Sequence, residues 1–286
     1  MKTNKSTHKP SRLLRNAGLM AIVCALGFPA IGSAQMADSD YRYDLDNAPQ
    51  ISRSIQTFMM GRTVQTRNQG ELQMSLGASH ERMGESAGSQ RFSEISARAE
   101  FGLTDRLQLQ AQLPYQIDDR QGSYSAQTNF GNAEVGATYS LLRGDDPISL
   151  SAAMDVQVPV GHQASLPASD NTLRTSDQTI WKPALIVAKD FGPTQVHTDL
   201  QAELGAGPSN RALNYNVGAV VPLGKFAPTM EFTGRTMDNR APQFYATPGV
   251  SYSLSDRAQI GVGVPIGLNS QSTNSAVMAK FSFGLR

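Results

Sequence analysis

The chain has 286 residues, with 25 Lys+Arg, 24 Asp+Glu, 4 His and 1 Cys. A single cysteine excludes a disulfide framework and a Cys-rich metal site, while a formal net charge of +1 with 17% charged residues argues against a nucleic-acid binder and a long disordered tail. An apolar content of 40% is too low for a bundle of spanning helices; it fits a soluble protein, or a membrane protein whose strands turn one face to lipid and the other to water.

The N-terminus reads as an address. Lys2, Lys5, Lys9, Arg12 and Arg15 precede an uncharged run with its apolar centre at Leu19 to Phe28, followed by Pro29 and the small residues Gly32-Ser33-Ala34. This order describes a secretory signal peptide over residues 1–34, cleaved after Ala34. The competing reading is a permanent anchor, against which Pro29 and the glycines interrupt the helix. Cleavage removes those five basic residues, no acidic ones and Cys24, so the mature chain is expected to be net acidic and free of thiols. Such an exported chain finds its stability in hydrogen bonds and packing.

Residues 35–69 lack any strand alternation. Ile51, Ile55, Phe58 and Met59 have roughly helical spacing, which allows a short amphipathic helix.

From Gly70 onward the period is two. Leu107, Leu109, Ala111, Leu113 and Tyr115 alternate with Gln108, Gln110 and Gln112. Ile148 to Val158 and Val277 to Leu285 repeat the pattern. Twelve such segments are predicted, at 70–83, 91–103, 106–117, 130–142, 147–160, 178–190, 194–206, 212–223, 226–236, 243–254, 257–268 and 275–286. Each slightly exceeds the roughly 9–11 residues that cross a bilayer at a tilt of about 45°. An even number lets both chain ends finish on one side.

The connections sort by length. Short turns are expected at Thr104-Asp105, 143–146, 191–193, Gly224-Lys225 and Ser255-Asp256, alternating with longer polar loops at 84–90, 118–129, 161–177, 207–211, 237–242 and 269–274. Periplasmic turns and longer extracellular loops give an outer-membrane barrel this asymmetry; a soluble sandwich has no reason for it. The predicted fold is therefore a twelve-stranded antiparallel transmembrane β-barrel over residues 70–286. Residues 35–69 form an N-terminal periplasmic segment that could sit at the mouth, partly enter the lumen or lie loose.

Aromatic residues form two expected girdles. Phe101, Tyr139, Phe191, Phe226 and Tyr252 stand near short turns, and Phe92, Tyr115, Phe130, Trp181, Tyr215 and Phe244 near longer loops. Pro114, Pro159, Pro222 and Pro265 are placed near strand ends or bulges, where a missing donor is tolerated.

Two phrases are nearly the same: Phe101-Gly-Leu-Thr-Asp-Arg-Leu-Gln-Leu-Gln110 and Tyr252-Ser-Leu-Ser-Asp-Arg-Ala-Gln-Ile-Gly261. They are followed by Leu113-Pro114-Tyr115 and Val264-Pro265-Ile266-Gly267, and Phe130 to Tyr139 opens a further strand with Asn132 where Asp is usual. Over residues 70–286 these phrases resemble the barrel family named "MetA-pathway of phenol degradation". The resemblance implies an outer-membrane channel for small, often aromatic, compounds. The chain departs from many outer-membrane barrels in ending Phe283-Gly284-Leu285-Arg286 rather than on an aromatic residue.

Catalytic chemistry finds little support. After the leader only His80, His162 and His197 remain, with no metal-ligand spacing among them. His162 has Ser165 nearby in a Ser-rich loop, without the His-x-Ser-Asn phrase expected of outer-membrane phospholipases. No enzyme activity and no cofactor are expected.

Function is expected in the inward-facing set. By alternation this includes Glu71 and the candidate solute-path residues Glu94, Arg98, Glu100, Gln108, Gln110, Gln112, Glu134, Asp155, Lys182, His197, Asp199, Glu203, Glu231, Arg235 and Lys280. Charges inside a narrow barrel need partners or water. Either they line a wet path, or they interlock and plug the lumen, leaving a structural or docking barrel. A passive outer-membrane channel for small molecules is the leading expectation, with a secreted soluble β-sandwich binding protein as the non-membrane alternative. The expected partners are outer-membrane lipid, the assembly machinery and an unidentified small solute, with no nucleic acid.

Overall fold

The computed structural model describes residues 58–83, 90–120, 127–143, 148–160, 178–206, 211–238, 240–272 and 275–285. The predicted leader, Ile51, Ile55 and the loop carrying His162 lie outside these residues.

Among the described residues every regular element is a strand: β1 (Leu72–Met83), β2 (Gln90–Gly102), β3 (Leu107–Arg120), β4 (Gln127–Phe130), β5 (Ala133–Leu142), β6 (Ser149–Val158), β7 (Ile180–Phe191), β8 (Thr194–Leu204), β9 (Arg211–Val220), β10 (Phe226–Met237), β11 (Gln243–Ser255), β12 (Ala258–Gly263), β13 (Ile266–Gly267) and β14 (Ser275–Leu285). Consecutive staves pair antiparallel, and β14 closes on β1 from Leu72↔Leu285 to Arg82↔Ser275. The result is a closed barrel of twelve staves. Closure leaves no free edge, which excludes two stacked sheets.

Two predicted segments are each interrupted. Segment 130–142 breaks at Gly131-Asn132, between β4 and β5. Phe130 faces Tyr115 and Glu134 faces Gln112, so this stave carries an extra residue against β3 and bulges. There the Pro114 carbonyl accepts the Gly131 N–H at 2.8 Å. Segment 257–268 breaks at Val264-Pro265, where proline has no N–H to give. In addition, β3 runs on to Arg120 and pairs Asp118 with Gln127, extending a hairpin into the predicted loop 118–129. Among the described residues the predicted turns at Thr104-Asp105, 191–193, Gly224-Lys225 and Ser255-Asp256 fall between paired strands or next to them, with Gly192 (φ 60°) and Gly224 (φ 62°) supplying the left-handed backbone that tight hairpins require, and the turn predicted at 143–146 lies largely outside those residues.

The distribution of polarity inverts that of a water-soluble protein. Leu76, Ile95, Leu185, Phe232 and Ile260 point outward and are exposed, whereas inward Ser151, Asp155, Glu231 and Thr247 are 0% exposed. An apolar exterior around a polar interior, with every ladder bond made within the sheet, is what hydrocarbon demands of a spanning chain.

The girdles follow the same parity. Phe226 packs at a tilt against Tyr252 at 4.8 Å near the turns, Tyr115 meets Phe130 edge-on at 5.3 Å, and Trp181 is 53% exposed near the loops. Phe92 corrects the prediction. It shares the inward parity of Glu94 and Arg98 on β2 and is 3% exposed, so it belongs to the interior.

Candidate functional site

Three places were open to the segment before β1, and its described part, residues 58–69, takes the one inside the lumen. It forms no helix and joins no strand pair. We refer to it as the strap. It crosses the bore on the turn side and is held by side chains from opposite walls.

At one end the Glu231 carboxylate of β10 accepts three successive backbone N–H groups, from Met59 (2.7 Å), Met60 (3.0 Å) and Gly61 (2.7 Å). It also accepts the Asn216 amide at 3.2 Å. Lys280 of β14 donates to the Phe58 carbonyl, and the Phe58 ring lies edge-on to His197 at 4.7 Å. The wall is cut back to receive these residues: a Cβ on Gly218 would stand 2.7 Å from the Phe58 ring, and one on Gly261 2.3 Å from the Met59 methyl.

In mid-strap, Asp199 accepts the Arg62 N–H at 3.0 Å. The Arg62 guanidinium pairs with Asp155 and approaches Glu134 at 3.7 Å. Glu134 is held in turn by Lys182 at 2.7 Å. Beyond, the Val64 carbonyl accepts the Ser151 hydroxyl at 2.5 Å, and the Val64 side chain packs with Ala153, Ala184, Ile186 and Ala188.

The far end is anchored against β2 and β3. Arg67 donates to Glu100 at 2.7 Å while Arg98 holds the other oxygen of that carboxylate at 2.8 Å. Gln108 accepts the Arg67 N–H at 3.1 Å, and the turn residue Asp105 accepts from Thr66 and Gln69. Hydrogen bonds to charged groups contribute about 1.5–3 kcal/mol each, and the paired geometry is what makes these interior charges tolerable.

On the loop side of the strap lies a cavity of about 400 Å³. Its floor is Met59 to Arg62. Its lining includes the apolar Pro265, Ala276 and Met278 and the charged Arg98, Lys182, Glu203 and Arg235. Arg235 and Glu203 face each other through two parallel bonds of 3.0 and 2.8 Å, and Asn214 donates to Glu203 at 2.8 Å. Glu94 accepts the Gln116 amide at 3.1 Å.

All fifteen predicted lumen residues face inward, and the strap divides them. Glu94, Arg98, Gln112, Lys182, Asp199, Glu203, Arg235 and Lys280 border the cavity. Glu100, Gln108, Gln110, Glu134, Asp155, His197 and Glu231 belong instead to the network that grips the strap or braces those that do. His197 is bonded to Gln195 at 2.6 Å and lies edge-on to the Phe58 ring. Glu71 sits just before β1, where it accepts from Asn68 at 3.2 Å. Sequence reasoning missed the strap residues Met59 to Arg62 and Arg67, together with their wall partners Ser151 and Asn216. The available signal was a set of lumen-parity glycines at 218, 261 and 263, small residues that face something bulky.

No protein-family model and no curated protein sequence matches the chain. Solved structures do. The COG4313 outer membrane channel from Pseudomonas putida F1 superimposes with a TM-score of 0.64 at 12% identity, covering 79% of this chain and 99% of that one. The fold is that of an outer-membrane channel barrel. A KdgM porin (TM-score 0.48, 13% identity, 74% of this chain and 99% of that chain) and the CymD monoaromatic hydrocarbon channel (0.46, 11%, 76% and 88%) lie further away. The phenol-degradation family name thus remains a resemblance of turn and strand phrases.

Proposed function

We propose that this protein is an outer-membrane channel through which small solutes pass without energy input. The observation that carries the reading is the cavity of about 400 Å³ inside a closed barrel, bordered by paired charges and floored by the strap. Likeness of fold to the Pseudomonas channel supports it. The barrel sits in the outer membrane after removal of residues 1–34, with lipid against its apolar belt and the assembly machinery as its folding partner. It acts without catalysis or cofactor.

The cavity suits small solutes with an apolar body and a polar end. Pro265, Ala276, Met278, Met59 and Met60 offer apolar surface in the same cavity as Arg98, Lys182 and Arg235. Aromatic or hydrophobic compounds, the solutes implied by the resemblance over residues 70–286, fall within that class. Charge pairs of this kind tune which solutes enter.

Single-channel recording in planar bilayers tests the proposal: discrete conductance steps are expected from a barrel that shifts on heating in detergent gels. Silence from such a barrel would favour a structural or docking role. The observation behind that second reading is the strap itself, since inward wall residues on its turn side are almost fully buried.

A further inference from the structure

We infer that the strap is a gate, with Glu231 as the latch that holds it across the bore. The inference rests on the channel reading above and adds the residue that sets whether the path is continuous.

Four observations carry it. First, the strap makes no strand pairing, so it can leave its seat without breaking one ladder bond of the barrel. Its grip at the Met59 end is side chain to backbone: one carboxylate, that of Glu231, collects the N–H groups of Met59, Met60 and Gly61 within 3.0 Å. Water can replace every one of those bonds once the segment moves.

Second, the two ends are held differently. The Arg67 end is pinned against β2 by buried Glu100, and by close backbone approach, since a Cβ on Gly102 would stand 2.0 Å from the Asn68 carbonyl. Between them Arg62 and Val64 are tied to Asp199, Asp155 and Ser151, so the part that swings is Met59 to Gly61, held by the latch.

Third, one donor of the seated strap, Nη1 of Arg62, is buried without a hydrogen-bond partner, although the same guanidinium pairs with Asp155. Such a group costs free energy while the strap stays in place.

Fourth, the cavity ends on Met59 to Arg62. Met59 also fills the seat at Gly261 and Gly263, so its displacement lengthens the cavity toward that seat.

The decisive experiment locks the latch end while keeping the backbone N–H contacts to Glu231. A Cβ built on Gly263 lies 3.4 Å from the Met59 Cβ, close to the roughly 3.5–4.5 Å of a disulfide. In a Cys24→Ser background, Met59→Cys with Gly263→Cys is refolded into detergent, oxidised with diamide, and recorded in planar bilayers before and after reduction. Glu231→Gln is recorded in parallel, with heat-modifiable mobility confirming each barrel.

Several-fold lower conductance in the oxidised pair, restored by dithiothreitol, is expected, along with several-fold higher open probability in Glu231→Gln. If oxidised and reduced pairs conduct equally and Glu231→Gln matches the wild type, the gate is refuted while the channel stands. If the wild type, Glu231→Gln and the reduced pair are all silent as folded barrels, the channel reading itself has failed, and the gate with it.

Discussion

Glu231 and Gly61 stand 170 positions apart in the chain, yet the carboxylate of one accepts the backbone N–H of the other at 2.7 Å. This contact shows how a narrow barrel handles its polar interior. Ladder bonds satisfy the backbone of the wall, but inward carboxylates still need donors. The strap supplies them, from its own N–H groups and from Arg62 and Arg67.

The seat for the Phe58 ring depends on a missing side chain. Gly218→Val would place atoms inside the ring, which already lies 4.7 Å from His197. The expected result is release of the strap's first residues with the barrel intact. Limited trypsin digestion reads this as cleavage after Arg62 that is expected in the variant and not in the wild type.

Arg67 is the anchor. Its removal in Arg67→Ala leaves Glu100 buried with only Arg98 on its other oxygen. Breaking a buried pair costs about 3–5 kcal/mol, and the remaining Arg98 contact puts this case near 3. Urea unfolding followed by gel mobility should show the loss, with Arg67→Lys falling between the two.

The exterior belt is tested by charge placed at mid-wall. Leu185 is central on β7 and points outward. Leu185→Arg should destabilise the barrel in lipid vesicles by about 2–4 kcal/mol. Gln112→Arg, directed into the cavity, should cost far less, as measured by the same equilibrium unfolding.

The chain's single tryptophan, Trp181, reports the loop-side girdle. Its fluorescence should be quenched by lipids brominated near the headgroup more than by lipids brominated near the chain end. The reverse order would place it at the centre of the bilayer and contradict the girdle.

The staves were legible because each obeys a local rule. Along β7, Trp181 and Leu185 face out while Lys182 and Ile186 face in, and a two-residue period in the sequence suffices to see it. The same parity that located the lumen set also explains the Phe92 error, where proximity to a loop was given more weight than alternation. The breaks at Gly131-Asn132 and Val264-Pro265 were harder, since a bulge or a missing donor interrupts pairing without changing composition.

The strap was not legible. Its contacts join residues as far apart as Phe58 and Lys280, and it carries no period because its neighbours lie on several staves at once. What the sequence did hold was its imprint: acids such as Asp155 and Glu231 facing an interior where they need partners, and glycines where the wall gives way.

The central claim is that the turn-side half of the lumen is filled by the chain's own residues 58–69. Thiol accessibility tests it most directly, in a Cys24→Ser background, with a water-soluble methanethiosulfonate reagent. Ser79→Cys, beside the cavity, should react quickly, and Ser251→Cys, inward on the turn side and 1% exposed, should be protected. Equal and rapid reaction at both positions would mean an open, wet bore and would contradict the account.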